Sequence, residues 1–224
     1  MGSHRDKLSG LSGLRLTIAA ACAATALPAL AADCPTGRFR AQAGPDVASG
    51  LEIEANGHFR YFLAAGALDE MAEGRWTCAK GILRLTTQPQ PKPAEFKLDK
   101  ITQDGEAPFS LIVTWPNGNG VAAVDFRIEF DKGDPVTDYT QDYGWSLNED
   151  GSRTPKTVQF SEPFHGTISP VFPVAPGKNV RIHVILVPND LGTVDFRETQ
   201  VTQADGKLLL HWRGGEIPYA PERE

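Results

Sequence analysis

Short segments in which apolar and polar residues alternate recur along this chain, and they limit its possible folds more than any other feature. Residues 59–61, 83–85, 126–130 and 180–184 carry bulky apolar side chains at every second position. Successive side chains of a β-strand point to opposite faces, so this period of two gives each strand one buried face and one solvated face. After residue 31 no stretch of a dozen residues shows helical spacing. The sequence therefore predicts an all-β protein.

The first block of strands covers residues 32–88 and predicts a small antiparallel domain, a β-meander or half-barrel. Asn56-Gly57 between two alternating segments is a strong signal for a two-residue hairpin turn. The strands expected in this block are residues 37–43, 50–55, 58–64, 69–78 and 82–87.

The second block covers residues 94–224, and its number of short strands predicts a β-sandwich. Residues 218–224 are polar enough that we expect a partly disordered tail. The strands expected here are residues 95–102, 109–115, 121–131, 136–146, 156–161, 166–172, 179–187, 193–202 and 207–213.

Prolines at positions 89, 91 and 93 separate the two blocks. Alternating prolines favour an extended segment that cannot join the interior of a sheet. We interpret this segment as a linker between domains, and a long surface loop within one domain is the alternative.

The first 31 residues have the layout of a secretory signal peptide. Arg5, Lys7 and Arg15 accompany an apolar run over residues 16–27, and Ala29 and Ala31 satisfy the small-x-small rule for cleavage. We expect cleavage near Ala31 and a periplasmic or secreted location. The run is shorter than the ~18 apolar residues of a membrane span, so we expect no permanent span.

The charge balance argues against a nucleic-acid partner. The full chain has a net charge of −6, and removal of residues 1–31 takes away three basic residues and one acidic residue, which leaves about −8. Phosphate recognition requires clustered Lys and Arg, and the sequence contains no such cluster.

Cys34 and Cys78 are the two cysteines that follow residue 31. In an oxidising compartment we expect them to form a disulfide, and two free buried thiols are the alternative. Two isolated cysteines without a nearby pair of histidines do not supply the four ligands of a structural zinc site, so no metal site is predicted.

Residues 118–123 match the dinucleotide-binding pattern G-x-G-x-x-A, but the chemistry of that pattern requires a helix to begin there. Residues 124–130 alternate as a strand instead. We therefore expect a hairpin turn at this point and no cofactor.

Motifs in the second block follow a recognisable order: a strand at 111–115, a Gly-centred turn at 117–120, a strand at 124–130, a Gly-Asp-Pro turn at 133–135, and Thr-x-Asp-x-Gly-Trp at 140–145. This order resembles that of carboxypeptidase-regulatory-like, or transthyretin-like, β-sandwich domains. The resemblance implies a domain that binds, spaces or stabilises, and it transfers no active site.

In the first block, the Phe-x-Tyr-x-Leu segment at 59–63 and the Gly-Arg-Trp segment at 74–76 are similar to the hairpins of lipocalin-like sheets. The chain as a whole is similar to secreted bacterial proteins that join two β units.

No catalytic residue is predicted. The histidines are scattered, with no H-E-x-x-H motif, and no G-x-S-x-G elbow is present. Sugar hydrolysis requires two carboxylates that face each other across a cleft, and we expect the clustered acidic residues to be solvated turn residues instead. These are Asp69, Glu70, Glu73, Asp131, Asp134 and Asp138.

Four residues are candidates for ligand binding. Tyr139, Tyr143 and Trp145 have the spacing of an exposed aromatic row, which β-sandwiches use to stack sugars or peptides, although the same spacing also fits a core face. His165 lies in a Pro-Phe-His-Gly segment that is typical of a loop, where ligand contacts are common.

These features favour a non-catalytic, secreted or periplasmic protein that binds an envelope component or another protein. An envelope hydrolase with dispersed carboxylate and histidine residues is one alternative. An inhibitor or immunity-type protein that blocks a partner enzyme is another.

Replacement of Cys34 by Ser tests the predicted bridge. A disulfide between Cys34 and Cys78 closes a loop of about 45 residues, so its loss is expected to lower the free energy of unfolding by about 4 kcal/mol under oxidising conditions. Chemical denaturation of Cys34→Ser and of the parent, with and without reducing agent, measures this loss. Reducing agent should have no further effect on the variant, and an unchanged free energy of unfolding would argue against the pairing.

Overall fold

The computed structural model describes residues 34–41, 44–148 and 152–222, and every regular element in this part of the chain is a β-strand. The predicted all-β class is confirmed, whereas the predicted cleavage site near Ala31 lies outside the described residues. No helix with the length and apolar character to cross a membrane occurs within these ranges. The strands are β1 (Gly37–Ala41), β2 (Val47–Ile53), β3 (His58–Ala65), β4 (Leu68–Ala79), β5 (Ile82–Thr87), β6 (Glu95–Thr102), β7 (Phe109–Thr114), β8 (Asp125–Phe130), β9 (Val136–Tyr139), β10 (Trp145–Ser146), β11 (Pro155–Glu162), β12 (Thr167–Ile168), β13 (Phe172–Pro173), β14 (Val180–Val187), β15 (Thr199–Ala204), β16 (Lys207–Trp212) and β17 (Gly215–Pro221).

Eight of the strands close into an antiparallel barrel in the order β1-β17-β16-β15-β5-β4-β3-β2. Closure gives each strand two neighbours, so no edge of this sheet is left to pair with another chain. The inward positions carry apolar side chains such as Leu51, Phe59, Leu85 and Leu210, each at most 1% exposed.

The last three strands of the chain belong to this barrel and not to the sandwich, so the extent assigned to the second block needs correction. β17 pairs with β1, and β15 pairs with β5. Strand periodicity identifies strands but not their partners, and these partners lie more than a hundred residues apart in the chain. The predicted half-barrel is thus completed by strands from the far end of the sequence.

The expectation of a partly disordered tail at residues 218–224 is wrong for the described part of that segment. Residues 218–221 form the end of β17, between β1 and β16, and Tyr219 is 0% exposed. Because this segment contains two prolines, the short apolar alternation of Ile217 and Tyr219 did not predict a strand.

The strands from β6 to β14 form two sheets that enclose one core. The first sandwich sheet has the order β10-β7-β14-β6, and the second has the order β12-β11-β8-β9, with β13 also paired to β11. Phe96 of β6 and Phe160 of β11 stack across the two sheets at 5.9 Å between ring centroids. The core contains buried residues of both sheets, which is the layered arrangement of a sandwich.

The predicted disulfide between Cys34 and Cys78 is present. Its Cα atoms lie 6.4 Å apart, within the range that disulfides span. The bond ties the residues before β1 to the end of β4, and both cysteines pack against the barrel core.

Two connections join the barrel to the inserted sandwich, and they contact each other. The proline-rich segment at residues 88–94 leads from β5 to β6, and residues 188–198 lead from β14 back to β15. The Asp190 carboxylate accepts a hydrogen bond from the Lys92 amide at 2.8 Å, and the Asn189 side chain donates to the Pro93 carbonyl at 2.8 Å. Residues 32–224 accordingly form one compact unit.

The return connection also inserts an aromatic side chain into the barrel. Phe196 is 0% exposed, and its ring lies 5.1 Å from Tyr61 and 4.9 Å from Trp212. The Thr87 hydroxyl accepts a hydrogen bond from the Phe196 amide at 3.0 Å and donates to the Val194 carbonyl at 2.8 Å. The connection is thereby held as part of the barrel wall and core.

One acidic side chain expected to be solvated is buried inside the barrel. β4 begins at Leu68, so its period of two points Glu70 inward, where it is 4% exposed. The Arg213 guanidinium and the Tyr61 hydroxyl both donate to the Glu70 carboxylate. A buried charge is tolerated only when it is paired in this way.

The two interior tyrosines are uncharged at neutral pH. Burial, followed by the proximity of Tyr219 and Glu70, raises the pKa of Tyr61 well above its ordinary value. Burial also raises the pKa of Tyr219, whose hydroxyl lies 2.7 Å from the Ser49 hydroxyl. Ser49 donates to the Phe62 carbonyl, so the Tyr219 hydroxyl donates to Ser49.

Replacement of Phe196 by Ala tests the role of the return connection. Loss of a fully buried phenylalanine is expected to lower the free energy of unfolding by about 3–5 kcal/mol, as measured by urea denaturation. Phe164→Ala is the matched control, because Phe164 is 43% exposed. Equal losses in the two variants would contradict the role of Phe196 in the barrel core.

Tyr61→Phe tests the effect of tyrosine burial on stability at alkaline pH. In the unfolded chain tyrosine ionises near pH 10, whereas in the folded barrel the raised pKa of Tyr61 keeps the proton bound. The stabilising contribution is thus complete below about pH 10 and is lost as pH rises above it. Denaturation between about pH 8 and pH 11 should show a shallower fall in stability for Tyr61→Phe than for the parent, and identical slopes would contradict the account.

Candidate functional site

The outer face of the second sandwich sheet forms a shallow groove of about 500 Å³. In β8, Phe126 and Ile128 point into the core, and the alternate residues Asp125 and Arg127 point outward. β11 alternates in the same way, and the register of β9 on β8 places Thr137 and Tyr139 on the outward face. The groove, called the Tyr139 groove below, is lined by Asp125, Phe126, Arg127, Thr137, Asp138, Tyr139, Gln159, Phe160, Ser161 and Ile168.

One row of side chains crosses the groove from edge to edge. In the strand register Tyr139 lies opposite Asp125, Asp125 opposite Ser161, and Ser161 opposite Ile168. The row covers three strand spacings, or about 14 Å. Its two ends are exposed apolar side chains, since Tyr139 is 53% exposed and Ile168 is 66% exposed.

A second row, parallel to the first, adds polar groups to the floor. Thr137 lies opposite Arg127, and Arg127 opposite Gln159. The Arg127 Nε atom donates to the Glu129 carboxylate at 2.8 Å, and the Gln159 Nε2 atom donates to the Ser169 carbonyl at 3.1 Å. These contacts fix both side chains. Among the described residues, the guanidinium Nη atoms of Arg127 and the amide oxygen of Gln159 have no hydrogen-bond partner, so they can serve a ligand.

Asp125 stands in the middle of the first row with its carboxylate exposed. Within residues 34–41, 44–148 and 152–222, this carboxylate has no hydrogen bond or ion pair. The neighbouring Asp138 carboxylate, in contrast, accepts from the Trp145 Nε1 atom at 2.9 Å. The groove therefore presents an acceptor between two apolar ends.

The structure separates the aromatic residues that the sequence grouped as one row. Tyr139 lines the groove. Trp145 is partly buried against the sandwich core, with its ring edge-on to Phe126 at 4.9 Å, so the core interpretation fits this residue. Tyr143 is 79% exposed at a turn closed by Gln141 and Gly144, and it is not among the groove residues.

Gly144 produces the break between Tyr139 and Trp145. Its φ of +96° is favourable only for glycine, and a Cβ atom there would lie 2.5 Å from the Leu111 carbonyl. The predicted single strand over residues 136–146 is consequently divided into β9 and β10.

His165 lies between the sandwich and the barrel. Its Nδ1 atom lies 3.3 Å from the Glu162 carboxylate, and its Nε2 atom donates to the Asp69 carbonyl of β4 at 3.2 Å. Glu162, 7% exposed, also accepts from the amides of Phe164 and His165. Both ring nitrogens of this histidine thus lie against protein groups, one carboxylate and one carbonyl, and the side chain links β11 to β4.

Two other histidines connect a carboxylate to a threonine hydroxyl. His183 lies 2.8 Å from Asp99 and 2.9 Å from Thr114. The order of groups is that of a hydrolase triad, but Thr114 is only 5% exposed, which does not suit a nucleophile.

His211 lies 2.8 Å from Thr202 and 3.4 Å from Glu216. Glu216 is its direct partner in the register of β16 and β17, so this contact follows from strand pairing. No group of three metal-binding side chains converges among the residues of the described ranges.

A larger cavity, about 780 Å³, lies beside the start of β1. Among its charged groups, Arg38 is paired with Glu52 at 3.1 Å and Glu222 with Arg40 at 2.7 Å. The Tyr139 groove is smaller but combines an exposed ring with an unpaired carboxylate, and it is the stronger candidate for ligand recognition.

Residues 118–123 connect β7 to β8 without a helix, and the strand expected after them is confirmed as β8. The expected hairpin does not join these two strands, because β7 and β8 belong to different sheets. Sequence reasoning missed the floor of the groove, because Asp125, Arg127, Gln159 and Ser161 are ordinary outward residues of two strands. Only the pairing of β8 with β11 brings them together.

A comparison with known proteins gave no matching family model, no matching curated protein and no matching solved structure.

Proposed function

We propose that this protein is a non-catalytic binding protein of the cell envelope, periplasmic or secreted, and that the Tyr139 groove is its binding surface. The observation that carries the proposal is the row from Tyr139 through Asp125 to Ile168, in which exposed apolar groups flank an exposed carboxylate. Exposed aromatic rings beside polar groups are typical of recognition surfaces.

Three further features support the proposal. The signal-like segment at residues 1–31 favours work outside the cytoplasm. The disulfide between Cys34 and Cys78 suits an oxidising compartment. The resemblance of residues 111–145 to transthyretin-like domains implies recognition rather than catalysis.

The groove is also built as a rigid surface. Its floor residues lie on paired strands β8 and β11, whose inward side chains Phe126 and Phe160 are at most 3% exposed. A ligand therefore meets side chains on a backbone that is already fixed, which lowers the entropic cost of binding.

Capture from an envelope extract tests this function. The immobilised protein is expected to retain an envelope component, and Tyr139→Ala should lower the retained amount about tenfold, because the ring supplies the largest exposed contact in the groove. Tyr143→Ala is the matched control, since it removes a tyrosine that is even more exposed but lies outside the groove.

Mass spectrometry of the retained component before and after incubation with the protein separates binding from catalysis. We expect an unchanged mass. Equal capture by the parent and by the Tyr139→Ala variant would contradict the groove, and a shortened or hydrolysed component would favour the hydrolase alternative.

A further inference from the structure

We infer that the Tyr139 groove binds a neutral carbohydrate chain, an inference that rests on the proposed function and specifies its ligand. The first argument is that the groove combines apolar and polar surfaces. A ligand that fits must offer apolar patches to Tyr139 and Ile168 and polar groups to the floor between them. Sugar rings combine C–H faces with hydroxyl groups on this short scale.

The second argument is the hydrogen-bonding capacity of the floor. Asp125 only accepts, Arg127 only donates, and the hydroxyls of Thr137 and Ser161 do both. A polyhydroxylated ligand satisfies all of these groups, since each hydroxyl both donates and accepts. A lipid tail would cover the same groups without replacing their hydrogen bonds to water, which is costly.

The third argument is charge. Asp125 and Asp138 are exposed in or beside the row, whereas Arg127, the cation among the groove residues, is already paired with Glu129 at 2.8 Å. The chain carries a net charge of −6. An anionic ligand such as a phosphorylated lipid or an acidic polymer would be repelled. A neutral chain leaves Asp125 free to accept hydrogen bonds from ligand hydroxyls, which are stronger when the acceptor is charged.

The fourth argument is the shape of the groove. The row of about 14 Å runs across the strands and ends on β9 and β12, the outermost strands of this sheet in its described order. No further strand of the sheet, within the described residues, closes the groove at either end, so a chain longer than the row passes through it. The geometry suits an internal segment of an oligosaccharide. An extended peptide that binds to a sheet, by comparison, adds a strand along the sheet edge.

Two printed arrays test the ligand class with the purified protein. One carries neutral tetrasaccharides and hexasaccharides of hexose and N-acetylhexosamine units, together with their monosaccharides. The other carries overlapping peptides of envelope proteins. We expect binding to at least one tetrasaccharide, at least tenfold tighter than to its monosaccharide, and no binding to peptides that depends on Tyr139.

Variants then assign the binding to the groove. Tyr139→Ala should weaken carbohydrate binding about tenfold, and Tyr139→Phe should restore it to near the parent level, because the ring face and not the hydroxyl makes the stacking contact. Asp125→Asn should also weaken binding, since the charged acceptor is lost. Tyr143→Ala should leave it unchanged.

The outcomes distinguish this inference from the function on which it rests. Tyr139-dependent binding to peptides but to no saccharide would overturn the carbohydrate assignment and leave the binding function in place. Saccharide binding that is equal in the parent and in Tyr139→Ala would overturn the assignment to this groove. Absence of Tyr139-dependent binding in both arrays and in the envelope capture would overturn both.

Discussion

The pairing of β1 with β17 holds the two described ends of the chain side by side, and the rest of the structure depends on it. This ladder closes the barrel and encloses the core around Phe59, Tyr61 and Phe196. Because β5 pairs with β15, the sandwich leaves and re-enters the barrel at adjacent strands. The entropic cost of closing a chain segment grows only slowly with its length, so an insertion of this size is compatible with a closed barrel.

The return connection, residues 188–198, contributes to the barrel and also contacts the segment that leads into the inserted sandwich. Phe196 completes the barrel core, and the Thr87 hydroxyl contacts both Val194 and Phe196. Asp190, in the same connection, accepts a hydrogen bond from the Lys92 amide in the proline-rich connection at residues 88–94. The junction is therefore built from backbone groups and buried rings rather than from a flexible linker, which accords with the single compact unit formed by residues 32–224.

Carboxylates in the interior differ from those on the proposed binding surface in whether they have a protein partner. Glu70 is buried, so it is paired with Arg213 and Tyr61. Asp125 is exposed at the surface, where a carboxylate does not need a protein partner for the fold to be stable. An unpaired carboxylate beside an exposed ring costs folding little, and it leaves hydrogen-bonding capacity for the carbohydrate that we propose as ligand.

The all-β class follows from the amino-acid order alone, because strand periodicity, turn residues and the small number of cysteines are local or compositional signals. These signals predicted the Asn56-Gly57 hairpin, the strand that follows residue 123, the Cys34–Cys78 bridge and the candidate Tyr139. Which strands become neighbours is settled only when the chain folds. Pairing between distant strands placed Tyr219 in the barrel, turned Glu70 into a buried partner of Arg213, and put Ser161 next to Asp125. Local periodicity does not identify partners of this kind, because a strand with one apolar face can pair with many other strands until the whole core is formed.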